Sequence, residues 1–121
     1  MSTPVFPESL RRALALQAEQ REHRAAGVEA LRRLLVVAQR DTGQSGVIAQ
    51  FLLSLYNGYR FKFDLTEFRR LDHDLFEDCM AVLRMDFQPA QEVHCYFQNG
   101  GEIWEQLARD WNVRDYTKVA Q

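Results

Sequence analysis

The side chains of this sequence that could most readily hold a transition metal are its two cysteines and two of its three histidines. They are His73, Cys79, His94 and Cys95. Zinc ligands usually come in pairs spaced to reach one ion, such as Cys-x-x-Cys or His-x-x-x-His, and the chain contains neither pattern. His73 and Cys79 are six residues apart, about 600° around a helix, and the adjacent His94 and Cys95 point apart in most backbone geometries. We therefore predict no metal and no cofactor.

Either cysteine could also act as a nucleophile if a histidine lay beside it in the folded chain. No local motif supports such a pair. Cys79 falls on the apolar stripe of a predicted helix, where burial raises the pKa of a thiol and keeps it unreactive. We interpret both cysteines as small buried hydrophobic residues, and we expect them to be reduced because the chain shows no export signal.

Four acidic residues in the middle of the same predicted helix could bind a cation: Asp72, Asp74, Glu77 and Asp78. Asp74 and Asp78 are one helical turn apart, but a metal site directed at phosphate needs further oxygen ligands from another element. Charge runs on helices usually face solvent, which is our interpretation here. The glycine-containing segment 43–46 lacks the lysine and the spacing of a P-loop. With no reactive set complete, we predict that the protein is not an enzyme and identify no small-molecule substrate.

Arginine is concentrated at the start of the chain. Residues 1–40 hold seven arginines and four glutamates, a net charge of +3, whereas residues 41–121 carry a net charge of −5. The candidate partner-binding residues are Arg11, Arg12, Arg21, Arg24, Arg32 and Arg33. As one stripe they could contact the phosphates of DNA, but the interspersed glutamates make ordinary i, i+3 and i, i+4 pairs, which favours a solvated helix.

The aromatic residues between positions 51 and 68 could stack on single-stranded nucleic acid, but their spacing favours a core. Residues 47–57 are apolar on most sides and predict a central helix. The alternation of Tyr59, Phe61 and Phe63 with two basic residues predicts a short extended stretch with its aromatic side inward. Asp64 and Glu67 have the spacing of a capping box, which predicts a helix over residues 65–85.

The rest of the chain reads as further helices. Residues 8–26 predict a helix whose second half has almost nothing to bury, so it is either exposed or covered by a partner. Gly27 predicts a break or hinge, and residues 28–40 predict a core helix. Ser45 or Thr42 should cap the helix that follows. A last helix is expected from about Ile103.

Composition places the chain among folded domains, with 46% hydrophobic and 26% charged residues in 121. No window approaches 18 consecutive apolar residues and the N-terminus does not resemble a signal peptide, so we expect a cytoplasmic protein that does not contact a membrane. The predicted fold is mainly α: one domain over residues 1–121, a compact bundle of about five helices. Residues 28–113 form the core, and residues 1–27 can protrude as an exposed arm.

Several segments resemble a known family. These are VAQRDTGQSG at 37–46, FLLSLYN at 51–57, FDLTEF at 63–68 and GGEIWEQLARDW at 100–111. Together they resemble a family of small domains of unknown function encoded on proteobacterial plasmids and integrative conjugative elements, over about two-thirds of the chain. Leu55 and Tyr56 replace two tryptophans of relatives, and EVHCYF at 92–97 also departs. The resemblance implies a setting, an accessory gene of mobile DNA in the bacterial cytoplasm, and no catalytic residues.

Two functions remain open from the sequence. The first is a non-enzymatic accessory protein of a mobile element that acts by protein–protein interaction through residues 8–26, either by self-association or by binding and inhibiting a host complex. The alternative is a DNA-binding regulatory protein that uses the arginine-rich N-terminal helix. Residues 28–40 are too apolar to serve as a recognition helix, so no helix-turn-helix is predicted.

Overall fold

The computed structural model describes residues 7–118. Within them the chain forms four α-helices, two short 3-10 helices and no β-strand. The α-helices are α1 (Glu8–Ala38), α2 (Gly43–Tyr56), α3 (His73–Asp86) and α4 (Gly100–Asp110), and the 3-10 helices are Leu65–Arg70 and Val93–Tyr96. The predicted fold class, a compact and mainly α-helical arrangement, is confirmed.

The helix α1 runs through Gly27 without interruption and is 31 residues long, about 46 Å. The predicted break at Gly27 is therefore wrong. A Cβ atom at this position would lie 2.4 Å from the Cβ of Met85 and 2.8 Å from its Sδ. Glycine is present because α1 and α3 cross there at close range, not because the helix ends.

The core forms where α1, α2 and α3 meet, and α4 closes it. Four of the six residues on the apolar face that spacing predicts for α1 are buried, and the other two are half-buried against the core: Leu31, Leu34, Leu35 and Ala38, then Val28 and Val37. Trp104 is fully buried, and its indole Nε1–H donates to the Leu52 carbonyl over 3.1 Å. Burial of an indole requires such a partner, so this hydrogen bond fixes α4 against the middle of α2.

Thr42 and Ser45 cap α2, as predicted. The Thr42 hydroxyl accepts from the Ser45 backbone N–H at 3.1 Å, and the Ser45 hydroxyl accepts from the Thr42 N–H at 3.4 Å. This reciprocal arrangement satisfies two N–H groups that the first turn leaves without a helical partner.

The helix predicted over residues 65–85 is two elements. The backbone is extended at Leu71, and Asp72 starts α3 by accepting from the Leu75 N–H at 2.9 Å. Asp64 does cap the first of the two elements, through the N–H of Thr66 at 2.9 Å, but Glu67 pairs with an arginine of the same turn and does not return to Asp64. The predicted capping box is therefore wrong, because the nearer threonine takes the Asp64 carboxylate.

The aromatic residues after α2 do form core, with one exception. Phe61 is buried, and the rings of Phe63 and Phe68 pack within 5.6 Å of the Phe51 ring. Tyr59, however, is 84% exposed. Residues 58–60 form a turn closed by the Asn57 side chain, which accepts from two backbone N–H groups, so the predicted inward alternation fails at its first residue.

Candidate functional site

The first three turns of α1 extend beyond the rest of the molecule. Every residue from 8 to 19 is exposed, a length of about 18 Å. We restrict the name arm to residues 8–19, a shorter segment than the predicted arm of residues 1–27, because Gln20, His23 and Arg24 are half-buried. Three leucines of the arm are exposed by about half: Leu10 by 41%, Leu14 by 48% and Leu16 by 58%. Apolar side chains of this size on an unsupported helix mark a surface that is suited to a partner.

A groove of about 460 Å³ lies between the base of the arm and the end of α3. Its lining residues are Leu16, Glu19, Gln20, His23, Met80, Leu83, Arg84, Phe87 and Gln88. Phe87 is 80% exposed. Four of the nine lining residues are apolar and five are polar or charged, a mixed composition that suits an amphipathic helix.

The floor of this groove is held in place by Gln20. Its amide Nε2 donates to the Gln88 carbonyl over 3.1 Å and to the Met85 carbonyl over 3.5 Å. Carbonyls at the end of a helix have no partner within that helix, so these bonds satisfy atoms that α3 leaves free. The arm and α3 are therefore fixed relative to each other where the groove begins.

Three of the arginines singled out in the sequence are paired with acids. Arg33 donates to both carboxylate oxygens of Asp78 at 2.9 and 3.0 Å, a bidentate pair between α1 and α3 that raises the arginine pKa. Arg11 lies 3.4 Å from Glu8, and Arg32 lies 3.9 Å from Glu29. Arg33 therefore joins two helices and is not free to bind a partner.

The remaining three arginines do not share a face. Arg12 and Arg21 are exposed, but they are nine residues apart, about 180° around α1. Arg24 is half-buried, and its Nε has no hydrogen-bond partner among residues 7–118. The structure thus distributes the candidate arginines around the helix and does not bring them together into one stripe.

The cysteines differ from each other. Cys79 is buried as predicted, and burial raises the pKa of its thiol to about 12. Cys95 is exposed, so its predicted burial is wrong. Its Sγ lies 3.6 Å from His94 Nε2, because the tight turn of the second 3-10 helix brings together the two side chains that we expected to point apart. Among residues 7–118, no three His, Cys, Asp or Glu side chains could hold a metal ion.

The predicted acidic face is partly structural. Asp72 caps α3, and Asp78 carries the pair with Arg33, whereas Asp74 and Glu77 are exposed. His73, at the first position of α3, is also exposed. Three of the four acids, Asp72 included, are therefore exposed as expected, and Asp78 alone is half-buried.

A half-buried ionic cluster joins α4 to the turn after α2. The Arg60 guanidinium donates to both oxygens of Glu105 at 2.6 and 2.9 Å and to Asp115 at 2.9 Å, and the Tyr56 hydroxyl donates to Glu105 at 2.6 Å. Hydrogen bonds from Arg60 lower the pKa of Glu105 to about 2. Because each charge has a partner, the cluster stabilises the fold and leaves no reactive group free.

Sequence reasoning missed the half of the groove that α3 contributes. Leu83 has the spacing of a core residue on the helix predicted over 65–85, and Phe87 lies beyond the predicted end of that helix. A usable signal is the position of Phe87, a large aromatic residue two positions after the last buried residue of α3, Met85, and two before Pro89. A residue in that place has few neighbours to cover it.

Comparison with known proteins gives a family and no activity. No helix formed by residues 7–118 is both long and apolar enough to cross a membrane. Neither a search of curated proteins nor a search of solved structures found a match. A family model described as a family of unknown function (DUF7673) matches residues 28–112. The match covers the core and α4 and begins after the arm. Because it spans more than half of the 121 residues, the chain belongs to this family of unknown function.

Proposed function

We propose that this protein is a non-enzymatic accessory protein that acts by binding another protein through its arm and the adjoining groove. The observation that supports this is the exposure of Leu16 and Phe87 on either side of the groove, beside a core that is complete without them. Full burial of a leucine or phenylalanine contributes roughly 1.5 to 3 kcal/mol, so covering these half-exposed and exposed side chains supplies a substantial part of a binding energy.

The proposed setting is an accessory gene of a bacterial mobile element, with the protein in the cytoplasm. Support comes from the resemblance of the segments at 37–46 and 100–111 to domains carried by such elements. In that setting, the partner is either another copy of the chain or a host complex whose activity the protein inhibits.

DNA binding by the N-terminal helix is the second candidate. Two observations favour it: the net charge of +3 over residues 1–40, and the exposure of Arg12 and Arg21. The opposite directions of these two arginines weigh against it, since one duplex cannot contact both sides of a helix. A gel-shift series in rising salt separates the two proposals, because binding to phosphates weakens steeply with salt and burial of leucines does not.

The test of the leading proposal is site-specific photo-crosslinking in cells of the native host. A photoreactive amino acid replaces Leu16 or Phe87 in the groove, and the matched controls carry it at Tyr59 or Tyr116, which are 84% and 48% exposed and do not line the groove. We expect discrete adducts from the two groove positions only. Equal adducts from all four positions, or none from the groove, would refute the proposal.

A further inference from the structure

We propose that the arm pairs with the arm of a second copy of this chain, antiparallel and about a two-fold axis. The inference rests on the proposed function, because it names the partner that occupies the same surface. The structure provides three independent supports: an interrupted helix packing, a heptad pattern along α1, and one pair of opposite charges in the matching positions.

The first support is the way in which α3 ends. The contacts of Arg33 with Asp78, Gly27 with Met85 and Gln20 with Gln88 show that α3 runs antiparallel to α1. The helix α3 ends at Asp86, at the level of Gln20, and the arm continues alone. A second arm that runs antiparallel to the first would take the place that α3 leaves empty, and its first turn would lie against Phe87.

The second support is that the face of α1 that contacts α3 continues along the arm. Ser9, Ala13, Leu16 and Gln20 all lie within about 40° of Gly27 around the helix, at spacings of four and three residues. Two arms centred between residues 14 and 15 place each Ala13 opposite Leu16 of the other copy. Each Ser9 then lies opposite Gln20. Small residues facing larger ones allow close packing, as at the Gly27 crossing.

The third support is electrostatic. Arg12 and Glu19 are one heptad apart on the same flank of that face, and in an antiparallel pair equivalent flanking positions of the two helices face each other. In the register set by Ala13 and Leu16, Arg12 of one copy lies opposite Glu19 of the other, and the two-fold axis repeats the pair. In a parallel pair, Arg12 would instead face Gln17 of the other copy, and the contact with Glu19 would be lost. Among residues 7–118, Glu19 makes an ion pair only with His23, at 3.8 Å.

The experiment is sedimentation velocity of the full chain from 5 to 500 µM, at low salt. We expect the apparent mass to rise from 14.2 kDa toward twice that value as concentration increases. Leu16→Glu should abolish the rise without affecting the fold, since this side chain is 58% exposed. Arg12→Glu and Glu19→Arg should each weaken dimerisation by roughly tenfold, because each variant turns two attractive contacts repulsive.

The combined variant R12E/E19R should return to within about threefold of the natural chain, because the pairs are restored with reversed sign. The matched control is Arg11→Glu, the same charge change at a position that faces solvent in the proposed pair, and it should leave dimerisation within about twofold. A natural chain that is monomeric at every concentration, a dimer that survives Leu16→Glu, or equal effects of Arg11→Glu and Arg12→Glu would overturn the inference.

The outcome also distinguishes this inference from the proposed function. A monomeric chain that still forms Leu16 crosslinks to a different protein in cells would overturn the self-pairing and support the docking surface. A monomeric chain without any crosslink would overturn both.

Discussion

Substitution of Gly27 by alanine tests the central packing of the fold, because two interpretations of this glycine predict changes of opposite sign in the free energy of unfolding. If Gly27 were a hinge or an incidental helix residue, alanine would stabilise the protein by about 1 kcal/mol through its higher helix propensity. In the structure, the added methyl group would lie 2.4 Å from Met85 Cβ and 2.8 Å from Met85 Sδ. The thioether can rotate away, but a Cβ atom moves only with the backbone.

The size of the effect follows from that distance. Nonbonded carbon atoms pack at about 3.5 to 4.0 Å, so α1 and α3 must separate by more than 1 Å at the crossing. Overpacking of this kind costs about 1 to 3 kcal/mol, from which the gain in helix propensity is subtracted. We expect Gly27→Ala to lower the free energy of unfolding by up to about 2 kcal/mol.

The measurement is urea unfolding followed by circular dichroism at 222 nm, with a thermal scan as a second probe. The expected loss corresponds to a Tm lower by up to roughly 10 °C for a domain of this size. Ala25→Gly is a matched control at an exposed position of α1, where only propensity acts. An increase in stability for Gly27→Ala would refute the close crossing as the reason for the glycine.

Three further results follow from the buried and paired groups. The pKa of Glu105 is lowered to about 2 by Arg60, and that of Asp115 to about 2 by Thr117 and Arg60. Stability should therefore be full above about pH 4.5 and fall toward pH 2 in urea titrations, with a flatter profile for Arg60→Met. Burial, with a contribution from Glu92, raises the pKa of Asp86 to about 6. A raised carboxyl pKa costs stability as pH rises through about 4 to 6, so Asp86→Asn should stabilise the chain at pH 7 by about 1 kcal/mol after solvent screening, and not at pH 3. In thiol labelling of the native protein, Cys95 should react in full and Cys79 only after unfolding; equal rates would contradict the burial of Cys79.

The helices that could be predicted from the sequence are those with regular apolar spacing. The face of α1 around Leu31 and Leu35 is buried as expected, and so is the apolar middle of α2 from Val47 to Leu53, apart from Gln50. The division of residues 65–86 could not be read from spacing, because Leu71 and Leu75 continue the helical period across the break. The break is marked by a local contact instead. Asp72 accepts a hydrogen bond from the Leu75 N–H and caps α3, a role that it could not have in the interior of one continuous helix.

The contacts that define the candidate site depend on pairs that are far apart in the sequence. Leu83 has the spacing of a core residue, and only the end of α3 beside Gln20 turns it into the wall of a groove. The requirement for glycine at position 27 likewise depends on Met85, which is 58 positions later in the sequence. A single sequence gives the period of a helix but not the length of its neighbour, and here the difference in length between α1 and α3 creates the surface.

The boundary of the family match separates two questions about this protein. The match begins at residue 28, so the features shared by the family lie in the core and in α4, which holds the buried Trp104. The arm lies outside it, and its three leucines are 41 to 58% exposed. The proposed function of the arm therefore rests on residues outside the matched segment. Variants of Leu16 or Arg12 should therefore change association and leave unfolding unchanged, whereas Gly27→Ala should change unfolding first. If arm variants lowered stability as much as core variants, the arm would be part of the core packing, and the argument for an unpartnered surface would fail.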